Sequence, residues 1–345
     1  MTLTADGKIQ LNENTLNFIR SIPGPISSLV VIGPYRSGKS YLLNRIAGKQ
    51  QGFELGSSTN PCTQGVWLWP EPVSLSSSSP QTLLLDTEGL FALNRDDRFD
   101  TVLFLFSALI SSLMIYNSFG VIDESALERL AFIGNIGTHF SRMNQTNNQS
   151  LLDHFPNFLW LLRDFALDLS FGDSGMKISA DEYLESALIP RPPQPRGSKQ
   201  GNSVSKKPSE YSTDDKRNSH FKESGGDSIK NGLRNSVYAN ASDDERNSIR
   251  RMIKTVFKNR SCSTLVRPVN EEHLLRNVDK LSIGDLRPKF NEEMEALIMK
   301  LSAMVQPKIV GRELMTGEHY AEFLIFVAQA LNNTDVPVFE NFNVV

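Results

Sequence analysis

Apolar positions along the chain come in two arrangements, short unbroken runs and longer stretches at helical spacing. Unbroken runs at 28–32, 81–85, 113–116 and 158–162 predict strands buried on both faces, and 66–69 alternates in the manner of a further strand. Helical spacing marks 40–47, 99–111, 123–140, 181–187, 244–258, 270–281, 289–304 and 318–331. The segment 123–140 sets Leu127, Leu130, Ala131 and Ile133 along one side, and Ser179 with Glu182 forms a capping box ahead of 181–187. The last helix places Tyr320, Phe323, Leu324, Val327, Ala328 and Leu331 on one stripe, which we read as core. Strands alternating with helices predict an α/β fold with a mostly parallel central sheet and helices on both faces.

The pattern disappears between 190 and 247, where Ser, Asn, Lys, Asp, Gly and Pro dominate. Such a segment buries too little apolar surface to offset its ordering entropy, so a solvated, disordered insertion is expected. Residues 1–27 are polar apart from a patch at 16–19 and are expected along the domain edge.

Composition narrows the function classes. The chain has 345 residues and a net charge of −3, so no global basic field attracts nucleic acid or an anionic membrane. The two cysteines, Cys62 and Cys262, have no metal-binding or disulfide spacing and fit a reducing compartment. The N-terminus lacks the apolar core of an export signal. The most apolar window, 102–115, is broken by serines and falls short of the ~18 residues of a spanning helix. A cytoplasmic protein without its own membrane anchor is expected, any membrane contact running through parts outside this chain.

Candidate chemistry centres on 33–40, Gly33-Pro34-Tyr35-Arg36-Ser37-Gly38-Lys39-Ser40, which fits G-x-x-x-x-G-K-[ST] between a predicted strand and a predicted helix. Glycines at 33 and 38 let the backbone turn tightly and present N–H groups to an anion at the positive end of the helix. Lys39 is expected on the β- and γ-phosphates and Ser40 on the Mg²⁺ that bridges them. The second run ends in Asp86-Thr87-Glu88-Gly89, a D-x-x-G turn in which Asp86 supports the Mg²⁺ shell and the Gly89 N–H meets the γ-phosphate. The cradle alone fits ATP or GTP, and a hydrolase or a kinase. N-K-x-D is missing, but Arg163-Asp164 follows the fourth run. A carboxylate there accepts from the N1–H and N2–H₂ of guanine, a donor pair that adenine lacks. The same two residues also fit an ordinary surface salt bridge.

Beyond these motifs, Leu-Gly-Ser-Ser (55–58), Thr-Gln-Gly-Val-Trp-Leu-Trp (63–69), Tyr-Asn-Ser-Phe-Gly (116–120), Phe-Pro-Asn-Phe-Leu-Trp-Leu-Leu-Arg-Asp-Phe (155–165) and Asp-Glu-Tyr-Leu (181–184) occur in order. With 33–44 and 85–90, they resemble the guanylate-binding protein family of large, dynamin-related GTPases, with atlastins as more distant relatives. The resemblance implies a P-loop GTPase domain over 1–310 and a helix and linker toward a helical region over 311–345. It implies Mg²⁺-dependent GTP hydrolysis and a head-to-head homodimer formed on nucleotide. A nucleotide-gated interaction module that hydrolyses GTP poorly stands as the alternative.

By position, the resemblance makes Arg36 an arginine finger in cis, Thr63 the switch threonine on Mg²⁺ and the attacking water, and Glu88 a proton shuttle. It puts nucleotide contacts at Gly33, Tyr35, Arg36, Ser37, Gly38, Lys39, Ser40 and Tyr41, then at Leu55, Gly56, Ser57, Asp86 and Gly89. Arg163 and Asp164 read guanine, and Arg267 lies in the cap over the base. Leu90 follows Gly89, so the water-orienting Gln of small GTPases is absent and a finger is needed. Two departures stand out: Pro61 occupies a position where relatives often carry a relay hydroxyl, and the sequence given stops at Val345, where family members continue into a helical stalk. No C-a-a-X terminus occurs.

Overall fold

The computed structural model describes residues 1–4, 6–53, 65–91, 97–130, 154–171, 175–191 and 243–333. Six strands form its central sheet: β1 (Ile26–Ile32), β2 (Val66–Leu68), β3 (Gln81–Thr87), β4 (Leu113–Phe119), β5 (Asn157–Arg163) and β6 (Arg260–Leu265). Their order is β6-β5-β4-β1-β3-β2, all neighbours parallel except β2 with β3. Helices α1 (Glu13–Arg20), α2 (Lys39–Ile46), α3 (Asp97–Ile110), α4 (Glu124–Glu128), α5 (Ala180–Ala187), α6 (Asp243–Val256), α7 (Pro288–Met304) and α8 (Gly317–Asn332) cover it.

Period-two alternation sorts the strand side chains into two cores. Leu29, Val31, Leu84, Leu113, Ile115, Leu159 and Leu161 face α2 and α7, meeting Leu42, Ile46, Phe290, Leu297 and Leu301. Val30, Ile32, Leu83, Met114, Tyr116, Phe158, Trp160 and Leu162 face the other way, toward α1, α3, α6 and α8. Burial on both sides explains why the runs are apolar without a break. Trp160 sits edge-on to Tyr116 at 5.4 Å, and its indole N–H donates to Ser118 Oγ at 2.9 Å.

The expected helical stripe of α8 is core: Tyr320, Phe323, Leu324, Val327 and Ala328 are buried, with Leu331 half-buried. The N-terminal segment docks against it. Leu16 and Ile19 of α1 are buried, Arg20 pairs with Glu322 at 2.9 Å, and the Asn332 side chain bonds both main-chain groups of Ile9. The capping box at Ser179 and Glu182 starts α5 as expected. Lys308 is buried and donates to the carbonyls of Ser111 and His154; burial lowers its pKa to about 7.

One expectation changes, and two others fall partly outside the described residues. The helix foreseen over 270–281 is one turn, Glu272–Leu275, followed by 3₁₀ turns at Val278–Lys280 and Ile283–Asp285. Asn277 breaks it: its amide donates to His273 O and its carbonyl accepts from Lys280, a local alternative to the helical ladder. Of the helix foreseen over 123–140, Glu124–Glu128 is present behind an Asp123 N-cap, and 131–153 lie outside the described residues. The helix foreseen over 244–258 is present as α6 from Asp243, overlapping the last residues assigned to the 190–247 insertion; residues 192–242 lie outside the described residues. Ile249, Ile253 and Val256 anchor that helix in the core. Asn247 bonds the N–H and C=O of Arg191 at 2.9 and 2.8 Å, joining the two ends of the excursion.

Among the described residues no helix is long and apolar enough to cross a membrane. The packing of α7 yields a direct test. Leu301 is fully buried and Met299, on the same helix, is 73% exposed. Leu301→Ala is expected to cost about 2–5 kcal/mol in denaturant unfolding and Met299→Ala under ~0.5 kcal/mol; equal effects would contradict this packing.

Candidate functional site

At the carboxyl end of β1 the chain turns through 33–38 into α2. Gly38 caps that helix with a φ of 77°, a left-handed conformation that a side chain would disfavour. Gly33 lies so close to β4 that a Cβ would meet the Asn117 carbonyl oxygen at 2.1 Å. The entrance to the loop is tied to the D-x-x-G turn: Leu90 N–H donates to Gly33 O at 3.0 Å, and Tyr35 N–H to Leu90 O at 2.9 Å. Asn117 holds the middle, its amide donating to Ser37 O at 2.8 Å and Ser37 Oγ at 2.9 Å. The first-turn N–H groups of α2 have no helical acceptor and form an anion site.

Lys39 stands in that site, 6% exposed, with its ammonium donating to Pro34 O at 3.2 Å. Desolvation lowers its pKa to about 8, while Asp86 and Glu88 favour the charged form. The difference from 10.5 is worth ~3 kcal/mol, more than the ~1 kcal/mol net of one hydrogen bond. An anionic ligand removes that deficit.

Register places Asp86 beside Val31 of β1, at the foot of the loop. Ser40 Oγ donates to Asp86 Oδ2 at 2.6 Å, so two oxygen ligands of the kind Mg²⁺ prefers already meet. Among the described residues no group of three His, Cys, Asp or Glu could hold a metal ion. Glu88 is buried rather than solvated; its carboxylate accepts from Gly65 N–H at 2.8 Å and its own N–H donates to Gly65 O at 2.7 Å.

Arg36 is exposed, has a φ of 62°, and lies 5.2 Å from the Tyr35 ring centroid. The Tyr41 ring turns into the core, 6.4 Å from Phe290, so its main chain is the part that faces the cradle.

At the end of β5, Arg163 is buried under Gly38, where burial lowers its pKa and Asp164 partly restores it. Asp164 has a φ of 55° and is 4.0 Å from Arg267 Nε. The ends of β5 and β6 are paired, which brings Arg267 to Asp164. Arg267 also pairs with Glu272 at 2.8 Å.

The structure therefore brings Gly33, Tyr35, Arg36, Ser37, Gly38, Lys39, Ser40, Asp86, Glu88, Gly89, Arg163, Asp164 and Arg267 to one edge of the sheet. Leu55, Gly56, Ser57, Pro61 and Thr63 lie outside the described residues. Two supporting residues had no role from motif reading. Asp100 of α3 accepts from Phe91 N–H at 2.7 Å, just beyond D-x-x-G, and Asn117 braces the P-loop. A polar residue at the carboxyl end of an otherwise apolar strand was the available signal for Asn117.

Comparison with known proteins agrees with this geometry. The family described as guanylate-binding protein, N-terminal domain, matches residues 6–217 and 210–308. Guanylate-binding protein 6 of Homo sapiens is 28% identical over 344 residues, covering 97% of this chain and 46% of its own length. Guanylate-binding protein 7 of Homo sapiens is 28% identical over 351 residues, 99% of this chain and 47% of its own. Guanylate-binding protein 1 of Mus musculus is 39% identical over 197 residues, 54% of this chain and 32% of its own. The chain spans about half the length of the curated relatives it matches. A P-loop braced against a D-x-x-G turn on a mostly parallel sheet, and a family match over most of the sequence, lead to one assignment: the chain belongs to the guanylate-binding protein family.

Proposed function

We propose that this domain binds GTP at the carboxyl edge of the sheet and hydrolyses it to GDP with Mg²⁺, working as a nucleotide-dependent head-to-head homodimer. The observation that carries the reading is a buried cation, Lys39, beside the oxygen pair of Ser40 and Asp86, with the Asp164 carboxylate on the same edge. We take 1–310 as the nucleotide unit and 311–345 as the start of a helical extension.

In this mechanism Lys39 and the first-turn amides of α2 hold the β- and γ-phosphate oxygens. Ser40, Asp86 and Thr63 are the residues that would hold Mg²⁺, which when bound neutralises charge across those phosphates. The Asp164 carboxylate accepts from the guanine N1–H and N2–H₂, with Arg163 behind it and Arg267 closing over the base. Thr63 orients the attacking water and Glu88, whose carboxylate accepts from Gly65 N–H, takes its proton. Arg36 leaves the Tyr35 ring for the phosphates as charge develops, a role worth ~10³–10⁵ in rate for such fingers. Pro61, which offers no relay donor, favours a second reading in which the domain binds GTP and pairs but cleaves slowly. Sizing chromatography with a GTP analogue beside phosphate release separates the two.

Single-turnover GTP hydrolysis per molecule is expected to rise with protein concentration and to fall about 10³-fold in Arg36→Ala; a rate indifferent to both would exclude the paired finger mechanism. Asp164→Asn is expected to weaken GTP about 10- to 100-fold and leave ATP unchanged in calorimetry, as lost charge-assisted hydrogen bonds require.

Lys39 adds a pH dependence. Its free pKa is about 8 and phosphate contact raises it. Affinity is therefore full below that value and declines as pH rises through it, and binding at pH ~8.5 takes up protons. Calorimetry in two buffers of different ionisation heat reads the uptake; none would contradict a neutralised cradle lysine.

A further inference from the structure

We propose that Asn117 is a positioning residue for Arg36: its side-chain amide reaches from the end of β4 and holds Ser37, which fixes the corner of the P-loop on which the arginine stands. The inference rests on the hydrolase reading above.

Among the described residues the P-loop is held at its entrance, at its exit and at the corner between them. Its entrance is tied to the D-x-x-G turn through Leu90, which bonds Gly33 and Tyr35. Its exit is the first turn of α2, where Leu42 N–H donates to Gly38 O at 3.0 Å. Between them lies Arg36-Ser37, where Arg36 takes a left-handed conformation that costs a non-glycine residue roughly 1–2 kcal/mol. The turn's own bond there is long, Ser37 N–H to Pro34 O at 3.3 Å. The shorter bonds come from Asn117, at 2.8 Å to Ser37 O and 2.9 Å to Ser37 Oγ. Because a carbonyl only accepts, the Asn117 atom facing Ser37 O is the amide nitrogen.

Asn117 and Ser37 are both essentially inaccessible, at 0% and 1% exposure, so water does not replace these bonds. The brace is rigid as well: Asn117 is in register with Leu161 of β5, and its carbonyl walls the loop where a Cβ on Gly33 would collide. Losing the amide leaves entrance and exit secured and frees the corner alone. Nucleotide binding, which uses Lys39, Ser40 and the α2 amides, is retained, whereas the step that needs Arg36 slows.

The test compares Asn117→Ala and Asn117→Asp with wild type, alone and combined with Arg36→Ala. The aspartate has the same shape but, ionised, cannot donate to Ser37 O, and it carries the test if the alanine variant does not fold. GDP affinity is expected to stay within about threefold, single-turnover GTP hydrolysis to fall about tenfold or more, and the Asn117 change to add nothing once Arg36 is alanine. Equal slowing in both Arg36 backgrounds, or GDP affinity falling in step with rate, would overturn the proposal. Hydrogen exchange supplies a readout independent of turnover: faster exchange in 34–38 with 39–46 unchanged is expected, and unchanged 34–38 overturns it. A wild-type protein that binds GDP but never cleaves GTP defeats the hydrolase reading, and exchange then still decides whether Asn117 holds the corner.

Discussion

An ammonium group taken out of water at the end of the central strand sets the terms for its surroundings. Lys39 is buried at the start of α2, and the acceptor it bonds is a main-chain carbonyl, Pro34 O. Desolvation opposes its charge, and the two nearby carboxylates offset only part of that cost. Asp86 is bonded by Ser40 and Glu88 by Gly65. A buried ammonium and the first-turn amides of the helix beside it both favour an anion. Burial that opposes an isolated charge becomes an advantage once a phosphate is present, because the attraction is then screened less than it would be in water.

Around this centre the loops at the sheet edge hold one another. The D-x-x-G turn bonds the P-loop through Leu90, Gly65 through Glu88, and α3 through Phe91 and Asp100. On the other side Gly120 N–H donates to Arg163 O, and Phe165 N–H to Leu265 O, which links the ends of β4, β5 and β6.

The cradle was legible in the sequence because its chemistry is local. Residues 33–40 are contiguous, the glycines act on their own backbone, and Lys39 and Ser40 follow directly at the helix start. Strands buried on both faces announced themselves as unbroken apolar runs, and Ser179 with Glu182 capped its helix as read. The helix over 270–281 failed because apolar spacing outweighed Asn277, whose side chain and carbonyl offered a local turn. The helix read over 244–258 is present at Asp243–Val256, because Ile249 and Ile253 recur at helical spacing among polar residues and anchor it in the core.

The sequence by itself determined the kind of ligand and the alternation of strand and helix, since both follow from neighbouring residues and their spacing. Tertiary structure alone decided which strand lies beside which, because pairing depends on burial summed over both faces of the sheet. From that adjacency come the approach of Arg267 to Asp164, the closure of Glu88 on Gly65, the burial that lowers Lys39, and the reach of Asn117 to Ser37.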